Sequence, residues 1–284
     1  MNSASLVLVD LDKTLIDGTY KLNTDIAPLQ RAITRVQSHG GLVGLFSDSA
    51  MPTLEKYATE FGMHGPIIAE RGAIMRTYTK NGNHDTISRP EFFKQKQNTM
   101  LLLRDKLVSK LSTDCHTLLV IGDVIALSQQ KNPVAYTPKS FVTRVILLNS
   151  LRQHSISFYV RTAGGFCEQE FTAHTVAELE EIVGEKSLSK YWFDVNNECG
   201  ICIMHYAETS KPGAVSAIKN AFPQRQIYMI GDSMSDFLDS EDVIQCAVDN
   251  AAHAYQDRCQ LHSRNDLTRG VIDLLEQIAT QSGF

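Results

Sequence analysis

Hydrophobic and polar positions alternate along this chain in two rhythms. Near the amino end, short apolar runs of strand length (Ser5 to Val9, Leu42 to Phe46, Ile67 to Ala69) are separated by segments with helical spacing. In the first such segment Ile26, Leu29, Ile33 and Val36 recur every three or four residues, and Gly40-Gly41 ends the pattern. Thr24 is expected to cap this helix, with Asp25 in its first turn. In the second, Leu54, Tyr57, Ala58 and Phe61 form the apolar face, with Ser49 as the expected cap and Pro52 near the first turn. Ala73 to Tyr78 and Asp85 to Ser88 flank Lys80-Asn81-Gly82-Asn83, where Asn-Gly predicts a hairpin.

The carboxyl end returns to the same rhythm. Ser210 and Pro212 open a predicted helix through Ala214, Ile218 and Phe222. Strands are predicted at Ile227 to Ile230 and Val243 to Val248, and an amphipathic helix at Val271 to Ile278. Strands alternating with helices of this length imply a parallel sheet covered on both faces. The middle of the chain has a different texture. It carries a long predicted helix from Glu91 to Leu111 and predicted strands at Thr117–Ile121, Ser157–Arg161, Tyr191–Val195 and Ile201–Tyr206. Thr137-Pro138 and Thr175 read as starts of two further helices. The expected organisation is a split α/β core, residues 1–83 and 208–284, interrupted by a second α+β domain at 84–207.

Composition narrows the partners. The 284 residues carry 27 Lys+Arg against 32 Asp+Glu, a formal charge of −5, which disfavours a nucleic-acid backbone as partner. No apolar run approaches the roughly 18 residues of a membrane span, so no membrane partner is expected. Leu6 to Val9 has no basic lead and is followed by Asp10 and Asp12, unlike a signal peptide. Six cysteines without dense spacing fit a reducing, cytoplasmic compartment. Cys199 and Cys202 form a C-x-x-C, but in a predicted strand i and i+3 point to opposite faces, which argues against a zinc or redox site. His205 in the same strand reads as packed, and Lys94 to Lys110 as a solvated helix face.

The candidate chemistry sits where predicted strands end. Asp10 and Asp12 leave the first strand one residue apart, at the position where open α/β sheets bind ligands. Gly231 permits a turn after Ile227 to Ile230, and Asp232 and Asp236 follow at i, i+4, able to hold a hard cation through oxygen. Ser47 ends the second strand, and its hydroxyl and nearby N–H groups suit a phosphate. Lys211 lies at a helix start, where dipole and ammonium both favour an anion.

In this combination the chain resembles the haloacid dehalogenase superfamily of phosphatases. Asp10-Leu11-Asp12-Lys13-Thr14 is similar to the first motif, Asp-x-Asp-x-Thr; Ser47, Lys211 and Gly231-Asp232…Asp236 stand at the second, third and fourth. Ala69-Glu70-Arg71-Gly72-Ala73, Val248-Asp249-Asn250-Ala251 and Arg269-Gly270-Val271 resemble the Cof-type branch, whose large α/β cap is inserted between the second and third motifs. Asp48-Ser49 departs from the Gly-Arg usual after the second motif, Ser235 from the usual Asn, and Lys13 from the commonest Gly.

The resemblance implies a Rossmann-like, doubly wound core with an inserted cap, and a magnesium-dependent phosphatase acting on a small phosphorylated metabolite such as a sugar phosphate. Asp10 would be the nucleophile, forming an aspartyl-phosphate, and Asp12 the general acid and base. Magnesium would be held by Asp10, the Asp12 carbonyl and Asp232, with Asp236 touching it through water or orienting Lys211. Ser47, Lys211 and Asn250 would bind substrate in the core. From the cap, Arg161 beside Gly164-Gly165 is the candidate contact, ahead of Lys139 and Arg144. Two other readings stay open: a phosphomutase using the same Asp pair, and a silent metabolite-binding protein of this fold. A dehalogenase fits less well, since it has no need of Asp12 or the metal-binding acids.

Overall fold

The computed structural model describes residues 4–78, 84–88, 92–124 and 141–281. In chain order the principal elements are β1 (Ser5–Val9), α1 (Ile26–Ser38), β2 (Leu42–Phe46), α2 (Met51–Phe61), β3 (Ile67–Ala69), β4 (Ile74–Tyr78), β5 (His84–Ser88) and α3 (Phe92–Thr113). Then follow β6 (Thr117–Gly122), β7 (Arg144–Asn149), β8 (Ser155–Thr162), α4 (Gln169–Val183), β9 (Tyr191–Asn196) and β10 (Ile201–Tyr206). The chain ends with α5 (Lys211–Ala221), β11 (Gln226–Gly231), β12 (Val243–Ala247), β13 (Leu261–His262) and α6 (Leu267–Gln281).

Two compact units result, Met1–Arg89 with Thr209–Phe284, and Pro90–Glu208. The first contains an eight-stranded sheet in the order β13-β12-β11-β1-β2-β3-β4-β5. The strands from β13 to β3 are mutually parallel, while β4 and β5 run antiparallel at the edge. Strand alternation sorts the core. Val7 and Val9 pack with residues of α1, α2 and α6, whereas Leu6 and Leu8 pack with Ala214, Val215 and Ile218 of α5. A central strand buried on both faces is therefore apolar at every position, as Ser5–Val9 nearly is. The expected boundary at residue 84 moves, because β5 pairs with β4 and so belongs to the core sheet. The antiparallel pairing of β4 with β5 is the one expected from the hairpin reading of Ala73 to Tyr78 and Asp85 to Ser88.

The second unit is a five-stranded sheet, β6-β7-β8-β10-β9, with α3 and α4 on one face. Strand β7, Arg144–Asn149, is buried at all six positions, and periodicity alone does not separate its short apolar run, Val145 to Leu148, from a buried helical segment. Thr175 lies inside α4, six residues beyond its start, and its hydroxyl donates to the Phe171 carbonyl. Thr137-Pro138 lies outside the described residues. The cysteines are unpaired; Cys199 lies exposed in the turn before β10, outside the strand expected to hold it, and Cys202 is buried within β10. His205 is buried with its ring stacked on Trp192. Among the described residues no helix is long and apolar enough to cross a membrane.

Candidate active site

Strands β1, β2 and β11 are neighbours, so the residues that follow them emerge side by side. Asp10 leaves β1, Ser47 leaves β2 and Asp232 leaves β11. Lys211 is the first residue of α5, whose amino end is closed by Ser210 accepting from the Gly213 amide. Pro212 beside it lacks an N–H that this turn would leave unpaired anyway. Four segments far apart in sequence thus converge at the carboxyl edge of the sheet.

Lys211 is buried and its Nζ lies 2.5 Å from both Asp10 Oδ1 and Asp236 Oδ1. Burial alone works against its charge, but Asp10 and Asp236 outweigh it and hold the ammonium above the ordinary lysine range. The other Asp10 oxygen accepts from Thr14 Oγ1 at 3.2 Å, and the same hydroxyl lies 3.4 Å from Asp232 Oδ1. Asp236 Oδ2 accepts from the amides of Asp232 and Ser233 at 3.0 and 3.1 Å. Gly231 is required here, since a Cβ would stand 2.5 Å from Asp236 Cβ and 2.6 Å from Oδ2.

Three carboxylates and one ammonium leave two uncompensated negative charges. The titration behaviour follows. Burial raises the Asp10 carboxyl well above the usual range, and Asp236 and Asp12 push the same way against Lys211. Burial, then Asp236, raises Asp232 to about 6. Oxygens of Asp10, Asp232 and Asp236 all lie within 4.8 Å of one another, a set that suits a divalent cation. The Asp12 carboxylate lies outside that set and accepts from Ser49 Oγ at 3.1 Å. Ser49 therefore does not cap α2, whose cap is Ala50. Ser47 Oγ accepts from the Ser49 amide at 3.2 Å, so the two serines share the turn after β2, which meets the turn after β1 at Asp12.

No protein-family model matches the chain. A phosphoglycolate phosphatase of Sulfolobus acidocaldarius is 39% identical over 72 residues, which are 25% of this chain and 30% of that protein. Solved structures match over nearly the full length at low identity. A haloacid dehalogenase-like hydrolase from Bacteroides thetaiotaomicron superposes with a TM-score of 0.64 at 13% identity, covering 96% of this chain and 99% of its own. The fold is that of the haloacid dehalogenase-like hydrolases. A haloacid dehalogenase-like hydrolase from B. subtilis (TM-score 0.55, 14% identity, 96% and 99% covered) shares it. So does a trehalose-6-phosphate phosphatase related protein (TM-score 0.59, 13% identity, 98% of each chain).

Within this haloacid dehalogenase-like fold, the remaining candidates fall in other places. Asn250 donates through Nδ2 to the Lys13 carbonyl at 2.7 Å and accepts at Oδ1 from the Leu267 amide at 2.9 Å. Arg161 belongs to the second unit. Its Nη1 donates to the carbonyls of Cys199 at 2.7 Å and Val160 at 2.8 Å, which ties the guanidinium to the turn before β10. Arg144 is buried among Asp114, Glu178, Thr117 and Thr175 and supports packing of that unit. Lys139 lies outside the described residues.

Residue patterns missed two features of the site. Ser49 as an Asp12 partner left no signal beyond its closeness to Ser47. The run Glu70-Arg71-Gly72 is left-handed throughout, with φ of 48°, 59° and 93°. It pins the loop after β2 through Glu70 N to Ser49 O and Arg71 N to Ser47 O. It also meets α5 so closely that a Cβ on Gly72 would lie 2.7 Å from Ala214 Cβ.

Proposed function

We propose that the chain is a magnesium-dependent phosphatase, hydrolysing a small phosphorylated metabolite such as a sugar phosphate through an aspartyl-phosphate on Asp10. The observation that carries this reading is the pairing of Lys211 with Asp10 and Asp236 beside Asp232. A lysine buried between two carboxylates at converging strand ends is an expensive arrangement for mere stability, because each buried charge must be desolvated. It suits a site that must offset the charge of an incoming phosphoryl group.

In this reading Asp10 and Asp232 coordinate magnesium, as the donor set and the two excess negative charges fit. When bound, the ion supplies the positive charge that keeps both carboxylates ionised and offsets the phosphoryl oxygens. Both Asp236 oxygens already accept hydrogen bonds, so of its two expected roles the orientation of Lys211 fits better.

Asp10 attacks phosphorus, the P–O bond to the leaving group breaks, and the phosphoryl group passes to the carboxylate. Asp12, held by Ser49, gives its proton to the departing alkoxide and then takes one from the water that attacks the acyl phosphate. That water releases inorganic phosphate and restores Asp10. Lys211 and the Ser47 hydroxyl bind the phosphoryl oxygens. The second unit, Pro90–Glu208, is the proposed substrate-selecting cap, with Arg161 as its candidate contact.

The test is release of p-nitrophenol and phosphate from p-nitrophenyl phosphate with and without magnesium. Activity that needs magnesium, is removed by chelator and is lost in Asp10→Asn supports the reading. An Asp10→Asn protein with near-normal turnover removes the nucleophile assignment. Assay of a hexose phosphate for free phosphate against isomerised sugar separates phosphatase from mutase.

A further inference from the structure

Besides Glu70 and Arg71, Lys13 at φ 63° and Leu267 at φ 48° hold left-handed backbone without being glycine. Such conformations cost about 1–3 kcal/mol and persist where the surroundings over-determine them. One side chain joins both. Asn250 donates to the Lys13 carbonyl and accepts from the Leu267 amide. A carbonyl on one side and an N–H on the other leave a single amide orientation that satisfies both.

This contact belongs to a larger brace. Thr268, fully buried, donates through Oγ1 to the Leu15 carbonyl at 2.7 Å, and the Asn23 amide donates to the same hydroxyl. The Asn23 side chain bonds the Asp266 carbonyl and accepts from the Arg269 amide. The first turn of α6 is thereby stitched to Lys13 and Leu15, the residues on either side of Thr14. The turn they form is closed by its own bonds, Lys13 N to Ile16 O and Leu15 N to Leu11 O. Asp12 lies inside that turn, and Asp10 sits directly before it.

We propose that Asn250 is a positioning residue, which fixes the Asp10–Thr14 turn by holding Lys13 left-handed against the start of α6. This rests on the reading of Asp10 and Asp12 as the reacting carboxylates. It differs from the substrate contact that the sequence resemblance implies for Asn250. A direct contact would act on substrate affinity. A brace acts on the placement of two carboxylates, where an error of about 1 Å can cost on the order of 100-fold in rate.

The experiment uses the full chain with Asn250→Ala and Asn250→Asp, each with and without Lys13→Gly. Asn250→Asp keeps the acceptor for Leu267 but loses the donor to Lys13, so it isolates the arm that matters. Steady-state kcat and KM are measured for p-nitrophenyl phosphate with magnesium, alongside amide hydrogen exchange of the segment 11–17. Both Asn250 variants are expected to lose roughly 10- to 100-fold in kcat with KM nearly unchanged. Lys13→Gly is expected to recover a substantial part of that loss, because glycine adopts this φ without a side-chain penalty. Exchange at Lys13, Leu15 and Ile16 should quicken in the Asn250 variants, joined by Leu267 in Asn250→Ala, which also loses the acceptor of that amide, and not elsewhere in the core.

A raised KM with kcat retained overturns the proposal in favour of a substrate contact. So does strict additivity of the substitutions at 13 and 250. If the wild-type protein releases no phosphate, the function reading fails, and the exchange measurement still decides the brace: unchanged exchange at 11–17 overturns it.

Discussion

The ammonium of Lys211 sits 2.5 Å from Asp10 Oδ1 although 201 residues separate them, and the same nitrogen reaches Asp236 Oδ1 at 2.5 Å. The three side chains are almost wholly removed from water, at 4%, 8% and 2% exposure. Each charge is compensated at hydrogen-bond distance by its neighbour, so none can be removed without consequence for the rest.

Lys211→Met should lower stability and abolish turnover together. Removing one partner of a buried ion pair costs about 3–5 kcal/mol, here with two carboxylates left facing each other. Urea unfolding at neutral pH should show the loss. Adding Asp236→Asn to that variant should restore part of the stability and none of the activity. Unchanged unfolding in Lys211→Met would mean that the pairing contributes nothing.

Asp232 yields a pH prediction. Its carboxyl is raised from the ordinary 3.8 to about 6 in the folded metal-free protein. The native state therefore binds more proton than the unfolded chain between those values. Its contribution favours folding below about pH 4 and is lost as the pH climbs through 6. Asp232→Asn should accordingly raise the melting temperature of metal-free protein at pH 7, by up to about 3 kcal/mol in stability terms. The same variant should lose most of the stabilisation that added magnesium confers. Calorimetry with and without magnesium at pH 5 and 7 checks both signs, and magnesium should stabilise the wild type more at pH 7.

Ser49→Ala should impair catalysis with little effect on folding. The hydroxyl donates to Asp12 Oδ2, and a hydrogen bond to a charged group is worth about 1.5–3 kcal/mol. A fall in kcat on the order of tenfold or more is expected, with Ser49→Thr recovering much of it. Equal activity in Ser49→Ala would show that Asp12 is held by other means.

Gly231→Ala should damage both fold and site. Its new methyl would need the space of Asp236 Cβ and Oδ2, which are anchored by two amides and Lys211. A drop in melting temperature with loss of magnesium-dependent turnover is the expected pair of outcomes. Circular dichroism melts beside the nitrophenyl phosphate assay would measure them.

Much of the core was readable from residue order. Apolar runs such as Ser5–Val9 and Gln226–Gly231 are strands because buried parallel strands are apolar on both faces, and each ends at the acid that carries the candidate chemistry. Where periodicity was absent or shared, reading stopped. Periodicity alone does not separate the short apolar run of β7 from a buried helical segment, and α4 begins before the residue that looked like its start.

Local order specifies which residues stand at strand ends, since turn chemistry and apolar runs are written in short stretches of chain. It does not specify distances between segments hundreds of residues apart. That Ser49 holds Asp12, that Asp236 spends both oxygens on Lys211 and two amides, and that Asn250 grips Lys13 follow from sheet order, which brings β1, β2 and β11 together. Sequence alone assigned Asp10, Asp12, Lys211 and Asp232 to one site. Packing decided which of them touch, because a hydrogen bond is decided within about 3 Å and residue spacing carries no such resolution.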